Sequence, residues 1–265
     1  MAIFGFIGTG NMGGAMARAS AKCISGENLL FSNRTHAKAE ALAAELGGQA
    51  MDNKSVAQKA DFIFLGVKPQ MMAGVLKTLK PILQAKKPLL ISMAAGLTMA
   101  QIEEMAGGDL PVIRIMPNTP VAVGKGLTLY CANEQVSPEV LADFLADMDA
   151  SGIMDPVEER LFDAAGTVSG CGPAYLYMFI EAMADGAVSC GVPRAQAMKY
   201  AAATMAGAAE MVLQTGLHPG QLKDNVCSPG GSTIAGVKAL EDGAFRSTVM
   251  NCIQAATKRN SELGK

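Results

Sequence analysis

The residues whose type and spacing point most clearly to ligand binding are glycines near the start of the chain. Three of them have the G-x-G-x-x-G spacing, and they follow the apolar run Ile3–Ile7. In a strand–turn–helix unit such glycines turn the chain sharply, let a pyrophosphate approach the backbone and let helix and strand pack closely. The same spacing serves plain helix–strand packing, but the αβ pattern that follows favours dinucleotide binding. We predict that the cofactor is contacted by Gly8, Thr9, Gly10, Asn11, Met12 and Gly13.

A second cofactor-recognition position is expected about twenty residues beyond these glycines. The predicted strand Leu29–Ser32 ends there, at Asn33 and Arg34. An NAD site usually carries Asp or Glu at this point to accept hydrogen bonds from the ribose 2′-hydroxyl, whereas Asn33 beside Arg34 favours a 2′-phosphate. The sequence therefore predicts NADPH, with NADH as the other possibility. Alternatively, Arg34 is only a solvated residue near a helix start.

Three later strands of the first half also end in candidate ligand-binding loops. The residues at these ends are Lys68, Ala94 with Ala95, and Asn118. Because ligands of an open parallel sheet lie beyond the carboxyl ends of its strands, we expect these loops to face one cleft. Each loop taken alone is equally compatible with ordinary turn chemistry.

Strand patterns stop in the middle of the chain. Asp155 and Pro156 interrupt the alternation, and beyond about residue 157 only helical patterns remain. A chain of 265 residues, half of them apolar, is long enough for two domains. We predict an α/β protein in which an N-terminal Rossmann domain with a doubly wound sheet, residues 1–156, precedes an all-helical C-terminal domain, residues 157–265.

Two predicted helices of the second half carry few polar residues. They run from Pro173 to a stop at Gly191 and from Pro193 to a stop at Gly216. Helices that are apolar around most of their circumference need cover on several sides. We predict that they pack against a second copy of the chain in a homodimer, and burial against the first domain is the alternative.

Composition argues against several other classes of function. A formal net charge of −2 provides no basic field for nucleic acid or for an anionic membrane, so a small molecule is the expected partner. The six cysteines form no C-x-x-C pair and only two histidines occur, so no metal site is predicted. Unpaired thiols and a start without a signal-peptide pattern favour a cytoplasmic location.

A second glycine turn, Ser228–Thr233, precedes an amphipathic helix. Exposed backbone N–H groups at such a helix start, next to Gly230 and Gly231, are suited to bind a small anion such as a carboxylate. Ser232 or Thr233 is able to cap the helix. On these residues alone, a capped helix without a ligand is the more common outcome.

One known enzyme family has the same motifs in the same order over almost the whole chain. They are Phe6–Gly13, Val67–Gln70, Met116–Pro120, Gly172–Tyr175, Ala184–Gly186 and His218–Asp224 running into Ser228–Gly231. With these motifs the chain resembles the Δ1-pyrroline-5-carboxylate reductases. The resemblance implies NAD(P)H-dependent hydride transfer to the C=N bond of L-1-pyrroline-5-carboxylate, which yields L-proline in the final step of proline biosynthesis. It also implies a helical domain that interlocks in a dimer, and dimers that can assemble further.

The resemblance further implies roles for individual residues. The cofactor contacts it implies are Asn33, Arg34, Asn53, Val67, Lys68, Pro69, Ala94, Ala95 and Asn225. The substrate contacts it implies are Glu159 and, for the carboxylate, Ser228, Gly230, Gly231, Ser232 and Thr233. The chain departs from the family at Cys171, where serine is usual, so no hydroxyl-specific role is predicted at that turn.

Hydride transfer to a C=N bond requires mainly that the two reacting carbons are held together and that the correct charge state is stabilised. We assign the Thr233 hydroxyl a catalytic hydrogen bond near the ring nitrogen. One alternative is an enzyme similar to the β-hydroxyacid dehydrogenases, whose corresponding helix carries a catalytic lysine that is absent from Pro173 to Asp185. The other alternative is a non-catalytic NADPH-binding protein.

Overall fold

The computed structural model describes residues 2–263 and divides them into two compact units. The first unit contains the described residues up to Cys171 and those from Thr257 onward, and the second unit is Gly172–Ala256. Within the described residues, all strands belong to the first unit. The predicted α/β architecture, a Rossmann sheet followed by helices, is confirmed.

An eight-stranded sheet forms the centre of the first unit. Its strands are β1 Phe4–Ile7, β2 Leu29–Ser32, β3 Gln49–Ala50, β4 Phe62–Leu65, β5 Leu89–Ser92, β6 Val112–Met116, β7 Gly126–Ala132 and β8 Gly152–Pro156. They lie in the order β3-β2-β1-β4-β5-β6-β7-β8, and all neighbours are parallel except β6 and β7. Because β1 lies between β2 and β4, the sheet grows in opposite directions from it. Doubly wound sheets bind their ligands at such a switch point.

The central strands are buried on both faces. All four residues of β1 and all four of β4 are buried, which explains their continuous apolar sequences. Phe6 and Phe64 stack at 4.5 Å between ring centroids in the core on one face, while Ile7 and Leu65 belong to the core on the other.

Helices supply the remaining side chains of these two cores. Up to Cys171 they are α1 Asn11–Ser20, α2 His36–Leu46, α3 Asn53–Lys59, α4 Pro69–Lys86, α5 Met99–Ala106, α6 Pro138–Asp147 and α7 Phe162–Gly166. Buried residues of α1, α2 and α6 belong to the Phe6 core, and those of α3, α4 and α5 belong to the Ile7 core. The sheet is thus covered on both faces, as a doubly wound fold requires.

The boundary between the two units differs from the one predicted after residue 156. The sequence did not predict β8, whose Pro156 ends an edge strand where proline is tolerated. Beyond it, Asp163 Oδ1 accepts a hydrogen bond of 2.9 Å from the buried Arg114, and the Ser169 carbonyl accepts one of 3.0 Å from Asn118 Nδ2. These long-range polar contacts keep residues 157–171 with the first unit, although the strand pattern has already ended.

The second unit is helical and has a small core of its own. Its helices are α8 Gly172–Ser189, α9 Arg194–Thr215, α10 Pro219–Asn225, α11 Ser232–Asp242 and the first part of α12 Phe245–Leu263. The predicted bounds of α9 are confirmed, with Pro193 before its first turn and Gly216 after its last. The side chains buried between α8 and α9 are Ala184, Ala197 and Ala201.

None of the helices within residues 2–263 has both the length and the apolar character that crossing a lipid bilayer requires.

Candidate active site

The glycine turn between β1 and α1 has the geometry of a phosphate-binding loop. Gly8 has a φ of +98°, which side chains rarely allow. A Cβ atom on Gly13 would lie 2.1 Å from the Gly8 carbonyl oxygen, so this close approach also requires glycine. Gly10 precedes α1 without a side-chain cap, and a Cβ on it would meet nothing within 4 Å. The unpaired N–H groups that begin α1 therefore adjoin open space in which an anion can bind.

A cavity of about 720 Å³ begins at this turn. Its volume lies within the range of small-molecule sites. The structure therefore brings together the glycine turn, the end of β2 and the loop after β4, as the sequence predicted for the cofactor. The predicted cofactor residues that line it are Gly8, Gly10, Asn33, Arg34, Asn53, Val67 and Lys68.

The other predicted cofactor residues of the first unit do not line this cavity. Thr9, Asn11, Met12 and Gly13 belong to the glycine turn or the first turn of α1. Outside that turn, Pro69 is the first residue of α4, whereas Ala94 is buried and Ala95 is exposed just after β5. Their contacts with a cofactor stay predictions. The Asn118 side chain donates to the Ser169 carbonyl oxygen and accepts from Leu127 N–H, each at 3.0 Å, and its predicted place in the cleft also stays a prediction.

Hydrogen bonds hold the edge of the cavity beside β2 and β3. Ser32 Oγ donates to Asn53 Oδ1 at 2.6 Å, which ties the end of β2 to the start of α3. Asp52 caps α3 by accepting from the Ser55 backbone N–H at 2.9 Å. That hydrogen bond is the main reason why the pKa of the Asp52 carboxyl lies below its usual value, and the nearby charge of Lys54 lowers it further.

Besides Asp52, two charged or ionisable residues of the cavity were not predicted from the sequence. His36 begins α2 and Lys54 is the second residue of α3, and both line the cavity. The position of Lys54 depends on β3, which has only two residues, Gln49 and Ala50. A strand this short produces no alternating pattern, so the loop that follows it could be recognised only by its proximity to Asn53.

Glu159, predicted to lie near the substrate, takes part in a polar network of the first unit. Its Oε1 accepts a 2.7 Å hydrogen bond from Met99 N–H and lies 3.5 Å from Nη1 of Arg114, whose Cζ lies 4.3 Å from the centroid of the Phe162 ring. Burial raises the pKa of the neighbouring Cys131 thiol to about 11, and the Glu159 charge adds to this shift. The contacts explain how Glu159 is held, and its contact with substrate stays a prediction.

The second glycine turn begins α11 in the second unit. Gly230 has a φ of +67°, and the Gly231 N–H donates to the Ser228 carbonyl oxygen at 3.0 Å. Neither Ser232 nor Thr233 caps the helix, because Gly231 itself occupies the N-cap position in extended conformation and no side-chain hydrogen bond is formed there. The first N–H groups of α11 therefore have no side-chain acceptor, which leaves the turn suited to a carboxylate.

The remaining side chains predicted for substrate and cofactor in this unit are exposed. Ser228, Ser232 and Thr233 lie on the surface of the single chain, and Asn225 ends α10 with its side chain exposed. Their roles stay predictions.

Comparisons with known proteins place the chain in a family. Residues 159–263 match the family model for pyrroline-5-carboxylate reductase dimerisation, and residues 3–96 match the model for NADP oxidoreductase, coenzyme F420-dependent. The chain is 43% identical to the pyrroline-5-carboxylate reductase of Escherichia coli, over 98% of each protein. The chain belongs to the pyrroline-5-carboxylate reductase family. The resemblance noted in its motifs is thereby confirmed.

Solved structures of pyrroline-5-carboxylate reductases share the fold. The chain is 35% identical to the Plasmodium falciparum pyrroline carboxylate reductase with NADP bound, with a TM-score of 0.88 over 100% of this chain and 98% of that one. For the pyrroline-5-carboxylate reductase of Coxiella burnetii the identity is 34% and the TM-score 0.91, over 100% and 99% of the two chains.

Proposed function

We propose that the protein reduces L-1-pyrroline-5-carboxylate to L-proline with NAD(P)H, the final step of proline biosynthesis. The proposal is carried by two glycine turns in one chain, each of which precedes a helix start without a side-chain cap. The chain is also 43% identical over its length to a reductase of this family. One turn begins α1 at the switch point of the sheet, and the other begins α11. Two uncapped helix starts match the two anionic groups of the reactants, pyrophosphate and carboxylate.

The residues present fit a dinucleotide with a 2′-phosphate. Within the described part of the chain, the buried Thr9 hydroxyl beside the glycine turn has no hydrogen-bond partner, and the space over Gly10 is open. Asn33 and Arg34 line the cavity where an NAD site would carry a carboxylate. A relative of known structure binds NADP, which supports NADPH as the cofactor, with NADH as a second reductant.

When bound, the dihydronicotinamide supplies the hydride that reduces the C=N carbon. The chain's residues bind and orient the reactants. In the proposal, the N–H groups from Gly230 to Thr233 bind the substrate carboxylate, and the Thr233 hydroxyl oxygen accepts a hydrogen bond from the protonated ring nitrogen. That hydrogen bond favours the iminium, which is the better hydride acceptor. Hydride transfer to the iminium carbon then yields the secondary amine of proline.

The reaction is tested by following NADPH absorbance and proline formation together. We expect NADPH to be consumed only when pyrroline-5-carboxylate is present, with one proline formed per NADPH. Oxidation of a β-hydroxyacid without imine reduction would favour the dehydrogenase alternative. NADPH binding with no turnover of either substrate would favour a non-catalytic protein.

The role of Thr233 is tested by replacing its hydroxyl. Thr233→Ala is expected to lower kcat/KM for the imine about 100-fold, because a positioned proton-donor or proton-acceptor group contributes on this order. Thr233→Ser keeps the hydroxyl and is expected to retain most of the activity. Unchanged helical circular dichroism and unchanged sedimentation of both variants serve as the folding control, because Thr233 lies in the second unit. Wild-type kcat/KM in Thr233→Ala would remove Thr233 from the mechanism.

The proposal includes a homodimer formed through the second unit, with dimers able to assemble further. Its support is the match of residues 159–263 to a dimerisation model and the exposure of large apolar side chains in the single chain. The proposal also includes a cytoplasmic location, because all six cysteines carry free thiols, as in reducing compartments.

A further inference from the structure

The cofactor cavity concentrates positive charge in a protein whose formal net charge is −2. Arg34, Lys54 and Lys68 all line it, and Asp52 is its one carboxylate among the described lining residues. None of the ion pairs found within residues 2–263 involves these three cations. Asp52 attracts Lys54 from beyond ion-pair distance, and its oxygens already accept from the Ser55 backbone and hydroxyl. The cavity therefore suits a ligand with more than one anionic group.

The sheet assigns these cations to two different sides of β1. Lys68 follows β4 on one side, whereas Arg34 follows β2 and Lys54 follows β3 on the other side. Strands β2 and β3 are parallel neighbours, with Phe31 opposite Ala50. Their carboxyl ends are thus adjacent, so Lys54 belongs with Arg34.

A direct hydrogen bond supports this grouping. Ser32, two residues before Arg34, donates to Asn53, the residue before Lys54, at 2.6 Å. His36 begins the neighbouring helix α2, but its Nε2 lies 3.5 Å from Glu40, which already provides an acceptor for it. Among the described residues that line this edge, Lys54 and Arg34 are therefore the two basic side chains with no carboxylate within ion-pair distance.

We propose that Lys54 determines cofactor specificity together with Arg34, by binding the 2′-phosphate of NADPH. The inference rests on the proposed function, because it assumes that the cavity holds the dinucleotide. A phosphate monoester carries about −1.5 to −2 charges near neutral pH, so one guanidinium leaves part of that charge uncompensated. Arg34 provides a planar fork for two oxygens, and Lys54 adds a flexible point charge. NADH lacks this phosphate and gains nothing from Lys54.

Calorimetric titration of the full-length protein with NADPH, NADH and adenosine 2′,5′-bisphosphate tests the inference. In Lys54→Met we expect Kd to rise about tenfold for NADPH and for the bisphosphate, as loss of one charge-assisted contact implies, with less than about a twofold change for NADH. Lys54→Arg is expected to keep most of the affinity. The matched control is Lys59→Met on the same helix, because Lys59 is exposed and does not line the cavity.

Unchanged NADH binding shows that Lys54→Met is folded, so the possible results separate cleanly. Equal weakening of NADPH and NADH would overturn the inference, because Lys54 would then contact a part that both nucleotides share. Unchanged binding of all three ligands would overturn it as well. A wild-type protein that binds neither nucleotide would overturn the proposed function and the inference together, whereas the first two results overturn the inference alone.

Discussion

The two units differ in how far each covers its own apolar side chains. In the first unit, Phe4, Phe6, Phe31 and Phe64 are essentially inaccessible to solvent. In the second unit, the buried apolar residues of the described chain are three alanines of α8 and α9. Large apolar side chains stay exposed there, including Tyr177 at 59%, Met178 at 69% and Leu213 at 65%.

This difference indicates that one chain encodes the two binding functions in different ways. The cofactor cavity lies in a unit that buries its core within a single chain, whereas the proposed substrate turn lies in a unit whose helices leave apolar surface uncovered. Exposed apolar surface of this extent is typical of a protein–protein interface. If a second copy covers it, the stability of the substrate turn depends on protein concentration, while that of the cofactor cavity does not.

The largest effect on stability is expected from a substitution in the glycine turn of the first unit, where the backbone leaves no space for an added methyl group. Gly13→Ala would place a methyl group 2.1 Å from the Gly8 carbonyl oxygen, so the turn has to move. We expect a loss of about 4 kcal/mol or more in the free energy of unfolding, and loss of NADPH binding. Denaturant unfolding and a binding titration measure both.

Gly10→Ala is the matched control. Gly10 has a φ of −75°, which alanine adopts easily, and its added methyl group would meet nothing within 4 Å. We expect an unchanged free energy of unfolding but an NADPH Kd that rises about tenfold or more, because the methyl group occupies space needed by the pyrophosphate. Equal stability of the two variants would show that the turn is not close-packed.

A somewhat smaller effect is expected where the second unit would meet its partner. Leu213→Glu replaces an exposed apolar side chain of α9 by a charge, and burial of a leucine contributes about 1.5–3 kcal/mol per subunit. We expect sedimentation equilibrium to show a higher monomer fraction, with reductase activity falling in parallel.

Val123→Glu is the control for this variant, because Val123 is 73% exposed but belongs to the first unit. We expect it to leave the oligomeric state unchanged. A wild-type protein that is monomeric at micromolar concentration, or a Leu213→Glu variant that dimerises as well as wild type, would contradict the asymmetry between the units.

The sequence predicted most of the first unit because its strands are strongly patterned. Continuous apolar runs such as Phe62–Leu65 identify strands covered on both faces, and glycines mark the turn at the switch point. By contrast, β3 has two residues and gives no pattern. The proposed role of Lys54 is argued from the hydrogen bond between Ser32 and Asn53, residues that lie 21 positions apart, and no local pattern reveals such a contact.

The second unit shows a different limit of sequence analysis. Its helices were predicted from proline and glycine signals, and Gly216 indeed ends α9 in left-handed conformation. The N-cap of α11 could not be read from the sequence, because Gly231, Ser232 and Thr233 are all acceptable N-cap types and only the backbone shows that Gly231 takes this position. Which apolar surfaces are covered depends on a second molecule, which one sequence does not describe.

The smallest effect is expected from a polar contact that holds residues 157–171 in the first unit. Asp163→Asn removes the charge that accepts a 2.9 Å hydrogen bond from Arg114, a guanidinium only 3% exposed. We expect a loss of about 1–2 kcal/mol in the free energy of unfolding, because the buried Arg114 guanidinium then donates to a neutral amide oxygen, which is a weaker acceptor than a carboxylate. Glu158→Gln is the control in the same segment, since its ion pair with Arg160 is largely exposed and should contribute nothing measurable. If the two variants are equally stable, the hydrogen bond from Arg114 to Asp163 contributes little to holding residues 157–171 in the first unit, which leaves other polar contacts, such as that between Asn118 and Ser169, to hold this segment.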